Sequence, residues 1–458
     1  MFDVQSDFSQ GSVKKTIFKL SIPLVFAQII NALYNIVDRI YIGHIKDIGT
    51  TALTGVGVAA PLIMIASAFA LLWGLGGMPL AAIERGKKND KQAEIIMCNS
   101  FAMLILTGII VGIILFLIKD NVLFLVGASE ETFPFANDYL TICLFGLLFS
   151  MVSLGMNGFI NAQGFPKIGM LTVVIGALLN IALDPVFIFA LDLGVKGAAI
   201  STVISQIVSC VWVLRFLTAK KASLRLNPSS FKLNIRLIGR IAGLGISELV
   251  MKITTQVVFI AMNASLLLYG GDIFVTAGTV INSIKDIAIY PISGFSNGAQ
   301  PFLSYNYGAK RYDRVCSGIR FITVVCISAS IIIEILLMAF PQVFIGIFSS
   351  DPELSKVAVP LLRIFFALYA FLSFQMAGQY AFVGLGKSKQ AVFFSFFRKV
   401  FILLPILLIL PRFIGVEGIF WAEPISDAIG GLACYITMLI TVYMPIKRDA
   451  EKMGQFIA

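Results

Sequence analysis

Two short stretches of this sequence place polar chemistry inside long apolar runs. In Asn31-Ala-Leu-Tyr-Asn-Ile-Val-Asp38, the residues Asn31, Asn35 and Asp38 fall at i, i+4 and i+7 and so share one helix face, with Tyr34 in the same turn. In Asn180-Ile-Ala-Leu-Asp184 an amide again precedes a carboxylate by one helical turn. An ionisable group at membrane depth costs about 3 kcal/mol on insertion scales and ordinarily faces a bundle interior or water. A single such face also has a bland explanation, a polar contact between packed helices. Two faces with one spacing point to one site. A carboxylate among amides and hydroxyls binds a proton or coordinates a sodium ion, and it also attracts an organic cation. Competition for that negative charge is the physical basis of antiport.

The elements that carry these residues are membrane spans. The chain has 458 residues, 58% hydrophobic and 13% charged, against about 25% charged in an ordinary soluble protein. Apolar runs long enough to cross a bilayer lie near 16–43, 52–80, 93–118, 134–160, 167–191 and 195–218. After a basic linker, 220–240, they resume near 241–268, 273–303, 316–347, 356–385, 390–412 and 416–444. The fold class expected is therefore an all-α polytopic membrane protein of twelve transmembrane helices. Its domains are a six-helix lobe over 1–219, the linker, and a six-helix lobe with a short tail over 241–458.

The net charge of +10 belongs to the short loops. One set holds Lys14, Lys15 and Lys19, then Arg85, Lys87, Lys88 and Lys91, and so on to Lys447, Arg448 and Lys452, whereas the alternate loops are neutral or acidic. By the positive-inside rule both termini are cytoplasmic, in a multi-pass protein of the cell membrane. Lipids are the surrounding partner, and nucleic-acid binding is not expected. The N-terminus, Met1 to Ser12, is polar, so no cleavable signal peptide is expected. The six cysteines lie in or beside apolar runs and read as small core residues. A single histidine, His44, argues against a zinc site, and neither a metal nor a cofactor is expected.

The two halves repeat. In one register, Gly76-Gly77-Met78-Pro79 with Gly86 matches Gly298-Ala299-Gln300-Pro301 with Gly308, and Gly164 matches Gly386. In the adjacent register, Gly194-Val195-Lys196-Gly197 matches Gly415-Val416-Glu417-Gly418. With six spans each, the repeats are parallel, related by an axis along the membrane normal, and their interface is the default place for a transport path.

A helix rises about 1.5 Å per residue, which sets depth. Counted from Lys167, Asp184 sits about 25 Å in, and counted from Lys19, Asp38 sits about 28 Å in, both in the outer half of the first lobe. Thr202 and Tyr139 reach the same layer, whereas Asn157 falls near the cytoplasmic end. Pro23 permits a kink in the first span, either static or responsive to the charge on Asp38. In the second lobe Glu248 and Lys252 are spaced as an ion pair, and Lys285, Asp286, Glu334 and Asp427 lie mid-span. Of these, Lys285, Asp286 and Asp427 are further candidates for the pathway. Methionines and aromatics such as Met64, Trp73, Met262 and Tyr290 pack helices, or line an adaptable apolar wall.

With these motifs assembled, the chain resembles the multidrug and toxic compound extrusion (MATE) transporters, in their DinF-like branch. The residues that carry the resemblance are Leu33 to Gly43, Gly74 to Pro79 with Gly86, Asn161 to Lys167, and Asn180 to Phe189. The resemblance implies two lobes, alternating access, and export of amphipathic, mostly cationic compounds driven by proton or sodium entry. It assigns ion coupling to Asp38, Asn180 and Asp184, and more weakly to Thr202 and Asn157. A related branch uses acids of the seventh and tenth spans, and the tenth span here has none in its interior. The expected partners are small-molecule organic cations, with the chain acting as a monomer. A flippase for a lipid-linked sugar precursor is the alternative within transport. An enzyme would need a nucleophile, base or metal constellation that the sequence does not offer. A channel would need a polar stripe along several spans.

Overall fold

A computed structural model of the protein describes residues 6–46, 48–348 and 351–455. The first five residues of the polar N-terminal stretch, and 456–458, lie outside them. Fourteen helices make up the described chain, without a strand. They are α1 (Val13–Gly43), α2 (Gly49–Gly86), α3 (Asp90–Val126), α4 (Phe133–Ala162), α5 (Pro166–Ala190) and α6 (Gly194–Thr218). The linker leads to α7 (Ile235–Gly270), α8 (Asp272–Gly308), α9 (Tyr312–Ala339), a short α10 (Pro341–Gly346), α11 (Pro352–Phe366) and α12 (Leu372–Gly384). The chain closes with α13 (Ser388–Ile414) and α14 (Val416–Lys452).

Eleven of these helices are long and apolar enough to span a membrane singly, and α11 with α12 supplies a twelfth span bent by 42°. The sequence predicts this tenth span as one run, 356–385, and no proline falls at the bend. The backbone freed there finds a partner on α9: the Ala370 amide donates to Glu334 Oε2 at 2.8 Å. Broken helices in a bilayer persist only where such groups are re-satisfied. That accounts for the mid-span position of Glu334.

The internal repeat is written into the backbone as well as the sequence. Lys88 and Lys310, equivalent positions of the two halves, both take positive φ (61° and 56°), and so do Gly164 and Gly386 (88° and 73°). Gly194 and Gly415, paired in the adjacent register, share the property at 54° and 64°. Each pair closes the same loop of its half, where the chain must turn left-handed between two helices.

By density of contacts the chain divides into two compact units. The first contains Phe26–Leu249; the second contains Phe8–Val25 and the chain from Val250 on. Thus α1 divides after Val25, just beyond its internal Pro23, and α7 divides after Leu249. In the first unit α4 runs between α2 and α6. Close approach of α2 and α4 depends on glycine: a Cβ on Gly74 would lie 2.6 Å from the Gly155 Cα. In the second unit α8 packs on α9, α11 and α12, with Phe302, Phe366, Phe382 and Phe420 fully buried. The start of the chain is held there by the buried Arg314, which donates to the carbonyls of Phe8, Gln10 and Gly11 at 2.8–3.2 Å and to Asn306 Oδ1 at 3.1 Å. All six cysteines are buried and free.

Candidate functional site: a carboxylate pair in the first unit

Four helices of the first unit converge on the two acids. Asp38 and Tyr34 come from α1, one turn apart; Tyr139 comes from α4, Asn180 and Asp184 from α5, and Ser201 and Thr202 from the start of α6. Pro185 follows Asp184 and leads into a π-helical turn, Val186–Ala190. Proline removes one backbone donor, and the wider turn re-seats the chain beyond it.

The carboxyl groups of Asp38 and Asp184 lie within hydrogen-bonding reach of each other. Both residues are buried, Asp38 at 8% exposure and Asp184 at 0%. One oxygen of Asp184 accepts from the Ser201 hydroxyl and, at 3.2 Å, from Asn180 Nδ2. The Asn180 amide also lies 3.3 Å from Thr202 Oγ1 and 3.4 Å from Ser201 Oγ. Tyr139 is hydrogen-bonded to Thr202, and Tyr34 lies within electrostatic reach of both acids. Three acceptors are left over: Asp38 Oδ1, Asp184 Oδ2 and Asn180 Oδ1 have no hydrogen-bond partner among the described residues. Two facing carboxylates in a low-dielectric interior repel unless a proton or a cation is shared between them. Converging oxygens of this kind suit a hard cation or a proton.

The structure thus brings Asp38, Asn180 and Asp184 together, with Tyr34, Tyr139 and Thr202 around them. It does not bring in the two asparagines read from the same face of α1. Asn35 is exposed, and its amide folds back onto the Asn31 carbonyl at 2.6 Å, one turn down its own helix. Asn157 is also elsewhere. Its amide donates to the Gly169 carbonyl at 3.1 Å and its oxygen accepts from Thr172 at 3.2 Å, which braces α4 against α5. From Tyr139 to Asn157 along the helix, that brace lies about 27 Å down α4 from the acids. Ser201, the tightest partner of Asp184, is missing from the sequence reading. A serine in a span costs little, so nothing in its type signalled it.

The family model described as MatE matches residues 23–186 and 249–409, most of both halves. The chain belongs to the MATE family. It is a membrane transporter and not an enzyme. Among similar proteins, the multidrug export protein MepA of Staphylococcus haemolyticus strain JCSC1435 is 23% identical over 439 residues, covering 95% of this chain and 94% of that protein. MepA of Staphylococcus aureus strain NCTC 8325 is 23% identical over 445 residues, covering 95% of each chain. An outward-facing multidrug resistance MATE transporter of the MOP superfamily superposes with a TM-score of 0.90 at 21% identity, over 97% of this chain and 99% of that one. A MATE protein solved in complex with MaL6 gives the same TM-score and identity over 96% and 98%.

Three further sequence candidates of this MATE protein lie in the second unit. Lys285 on α8 and Asp427 on α14 belong to one buried charge cluster there, with Arg398, Lys399 and Glu423. Asp286, the next residue along α8, is exposed. Arg398, Lys399 and Glu423 were absent from the sequence reading, although their signal was legible. Glu423 and Asp427 repeat the i, i+4 spacing of Asn180 and Asp184, and Arg398-Lys399 interrupts an apolar run. In the register that pairs Gly194 with Gly415, Glu423 is the counterpart of Thr202, so the second unit places an acid where the first has a hydroxyl.

Proposed function

We propose that this MATE protein is a cation-coupled antiporter that exports amphipathic, mostly cationic compounds across the cytoplasmic membrane by alternating access. The observation that carries the proposal is the buried pair Asp38 and Asp184, with the unpartnered oxygens around it. A proton or sodium ion bound there satisfies those oxygens and removes the repulsion; its release restores a negative site. Asn180 and Ser201 hold Asp184 in place, Thr202 holds Asn180, and Asp38, on a different helix, transmits the change in charge to α1, which carries Pro23. The names of the staphylococcal relatives, multidrug export proteins, support an organic-compound cargo. The alternation of basic and acidic loops supports cytoplasmic termini. The chain works as a monomer, each copy holding its own pair of acids.

The test is ethidium efflux from liposomes holding the purified protein, with proton and sodium gradients imposed separately. Efflux under one gradient alone identifies the coupling ion and supports antiport. Intact protein that moves ethidium under neither gradient overturns the proposal and favours a lipid-linked sugar precursor as cargo.

A further inference from the structure

The basic linker that follows α6 is fastened to the first unit along the start of α3. The Arg225 amide and the Ser230 hydroxyl donate to the two carboxylate oxygens of Glu94, at 3.0 and 3.3 Å. Further along α3, Asn99 holds the linker backbone twice. Its oxygen accepts from the Asn234 amide at 3.0 Å, and its own amide donates to the Lys232 carbonyl at 2.9 Å. Gln163, just beyond α4, accepts from the Leu224 amide at 2.9 Å, and Leu224 is fully buried.

These bonds fix the linker at one height in the membrane. From Phe101 to Ile118, α3 carries no charged residue. That run is about 27 Å long, close to the ~30 Å hydrocarbon layer of a bilayer. Phe101 therefore marks one edge of the layer, and Phe231 of the linker packs edge-on against it with ring centroids 6.1 Å apart. At this edge the linker reads Phe231-Lys232-Leu233-Asn234-Ile235-Arg236. All of these residues are exposed, Leu233 at 68% and Ile235 at 87%. Apolar side chains and bases thus stand side by side where acyl chains meet headgroups.

The charge here is one-sided. The linker holds Lys220, Lys221, Arg225, Lys232, Arg236 and Arg240, all exposed, and no acid. Set against Glu94, the acid it rests on, those six bases leave five positive charges in excess. The neighbouring acids Glu84 and Asp90 face bases of their own, Lys87 at 2.8 Å and Arg85 at 3.9 Å. Arg225 turns its guanidinium onto the carbonyls of Lys220 and Ala222. Among the described residues no carboxylate pairs with Lys220, Lys232, Arg236 or Arg240.

We propose that the linker is a binding surface for anionic phospholipids, its bases holding the headgroup phosphates while Phe231, Leu233 and Ile235 seat among the acyl chains. A zwitterionic lipid offers the same phosphate with its charge cancelled, so the excess of base selects the anionic headgroup. The surface is preformed by Glu94, Asn99 and Gln163, so little backbone is ordered on binding. The inference needs only that the chain lies in a membrane, and it goes beyond the export function proposed above.

The test is native mass spectrometry of the purified protein in neutral detergent, titrated with phosphatidylglycerol or with phosphatidylcholine of the same chain length. The first phosphatidylglycerol is expected to bind at least about tenfold more tightly than the first phosphatidylcholine. Lys232→Gln, Arg236→Gln and Arg240→Gln together are expected to remove about tenfold or more of the phosphatidylglycerol affinity and to leave phosphatidylcholine within about twofold, since each base near an anionic surface contributes about fivefold. A charge-matched control, Lys87→Gln with Arg311→Gln and Lys447→Gln, removes three bases that already face acids and is expected to cost less than about threefold. Equal losses in the two variants make net charge the cause and overturn the inference, as does an unchanged phosphatidylglycerol affinity in the linker variant or no preference in the wild type. Inorganic phosphate at matched ionic strength is expected to leave phosphatidylglycerol binding unchanged; displacement gives the surface to a free anion and overturns the inference. Where the triple variant melts below wild type, Lys232→Gln alone serves, with a loss of about fivefold. Antiport is read by the ethidium assay, so its failure and the failure of this inference show separately.

Discussion

Replacing Asp38 by asparagine removes a charge and keeps the shape, and two consequences of opposite sign follow. Two unit charges about 4 Å apart interact by about 4 kcal/mol at an effective dielectric constant of about 20. A cation shared between Asp38 and Asp184 loses about that much attraction in the variant, which is about three decades of affinity. Stability moves the other way. The amide faces Asp184 as a donor where a carboxylate had faced it, and a hydrogen bond to a charged group contributes about 1.5–3 kcal/mol. The side chain is 8% exposed, so the new bond forms away from competing water. Purified Asp38→Asn protein is therefore expected to melt at or above the wild-type temperature, to bind the coupling ion about a thousandfold more weakly, and to lose gradient-driven ethidium export. Thermal melting, ion titration and liposome efflux read the three quantities separately. Retained export would refute the reasoning, because coupling would then not require this charge. A much lower melting temperature would refute the carboxylate-repulsion argument.

Other substitutions test the supporting structure. Ser201→Ala removes the hydroxyl that donates to Asp184 and is expected to lower the melting temperature, since a hydrogen bond to a charged group is worth about 1.5–3 kcal/mol. Gly74→Val drives a side chain into the Gly155 backbone and is expected to destabilise the first unit by about 1–3 kcal/mol, read as a lower melting temperature in detergent. Glu334→Ala strips the Ala370 amide of its acceptor at a cost of about 1–3 kcal/mol, whereas Glu334→Gln keeps an oxygen there and is expected to melt near wild type. Arg314→Ala releases the carbonyls of Phe8, Gln10 and Gly11, and limited proteolysis is expected to cut the N-terminal segment several-fold faster.

Much of the fold was legible because membrane physics writes it in runs of apolar residues. The run expected over 134–160 is the helix Phe133–Ala162, and that expected over 167–191 is Pro166–Ala190. The repeat was legible from glycines, since Gly164 and Gly386 both hold a left-handed turn that other residues resist. The meeting of Asp38 with Asp184 was legible from depth. Side-chain direction was not. Asn35 shares a helix face with Asp38 by spacing, yet its short amide closes on its own backbone. Partners far along the chain were hidden too. Glu334 meets the bend of the tenth span from 36 residues away, and Arg398 meets Asp427 from 29 residues away on another helix. Spacing within one helix carries no information about such pairs. A lone mid-span charge reads as a pathway residue until its counter-charge is located.

The claim at the centre is that ion and cargo exchange through one charge pair, and the most direct measurement follows both at once. Liposomes holding the purified protein and loaded with ethidium are placed in buffers with labelled sodium or a pH-sensitive dye, and ion entry is recorded as ethidium leaves. Antiport through Asp38 and Asp184 predicts ion entry in fixed proportion to ethidium exit in the wild type, with both fluxes absent in Asp38→Asn. Ethidium exit without ion entry, or ion entry that persists in Asp38→Asn in step with ethidium, would contradict it.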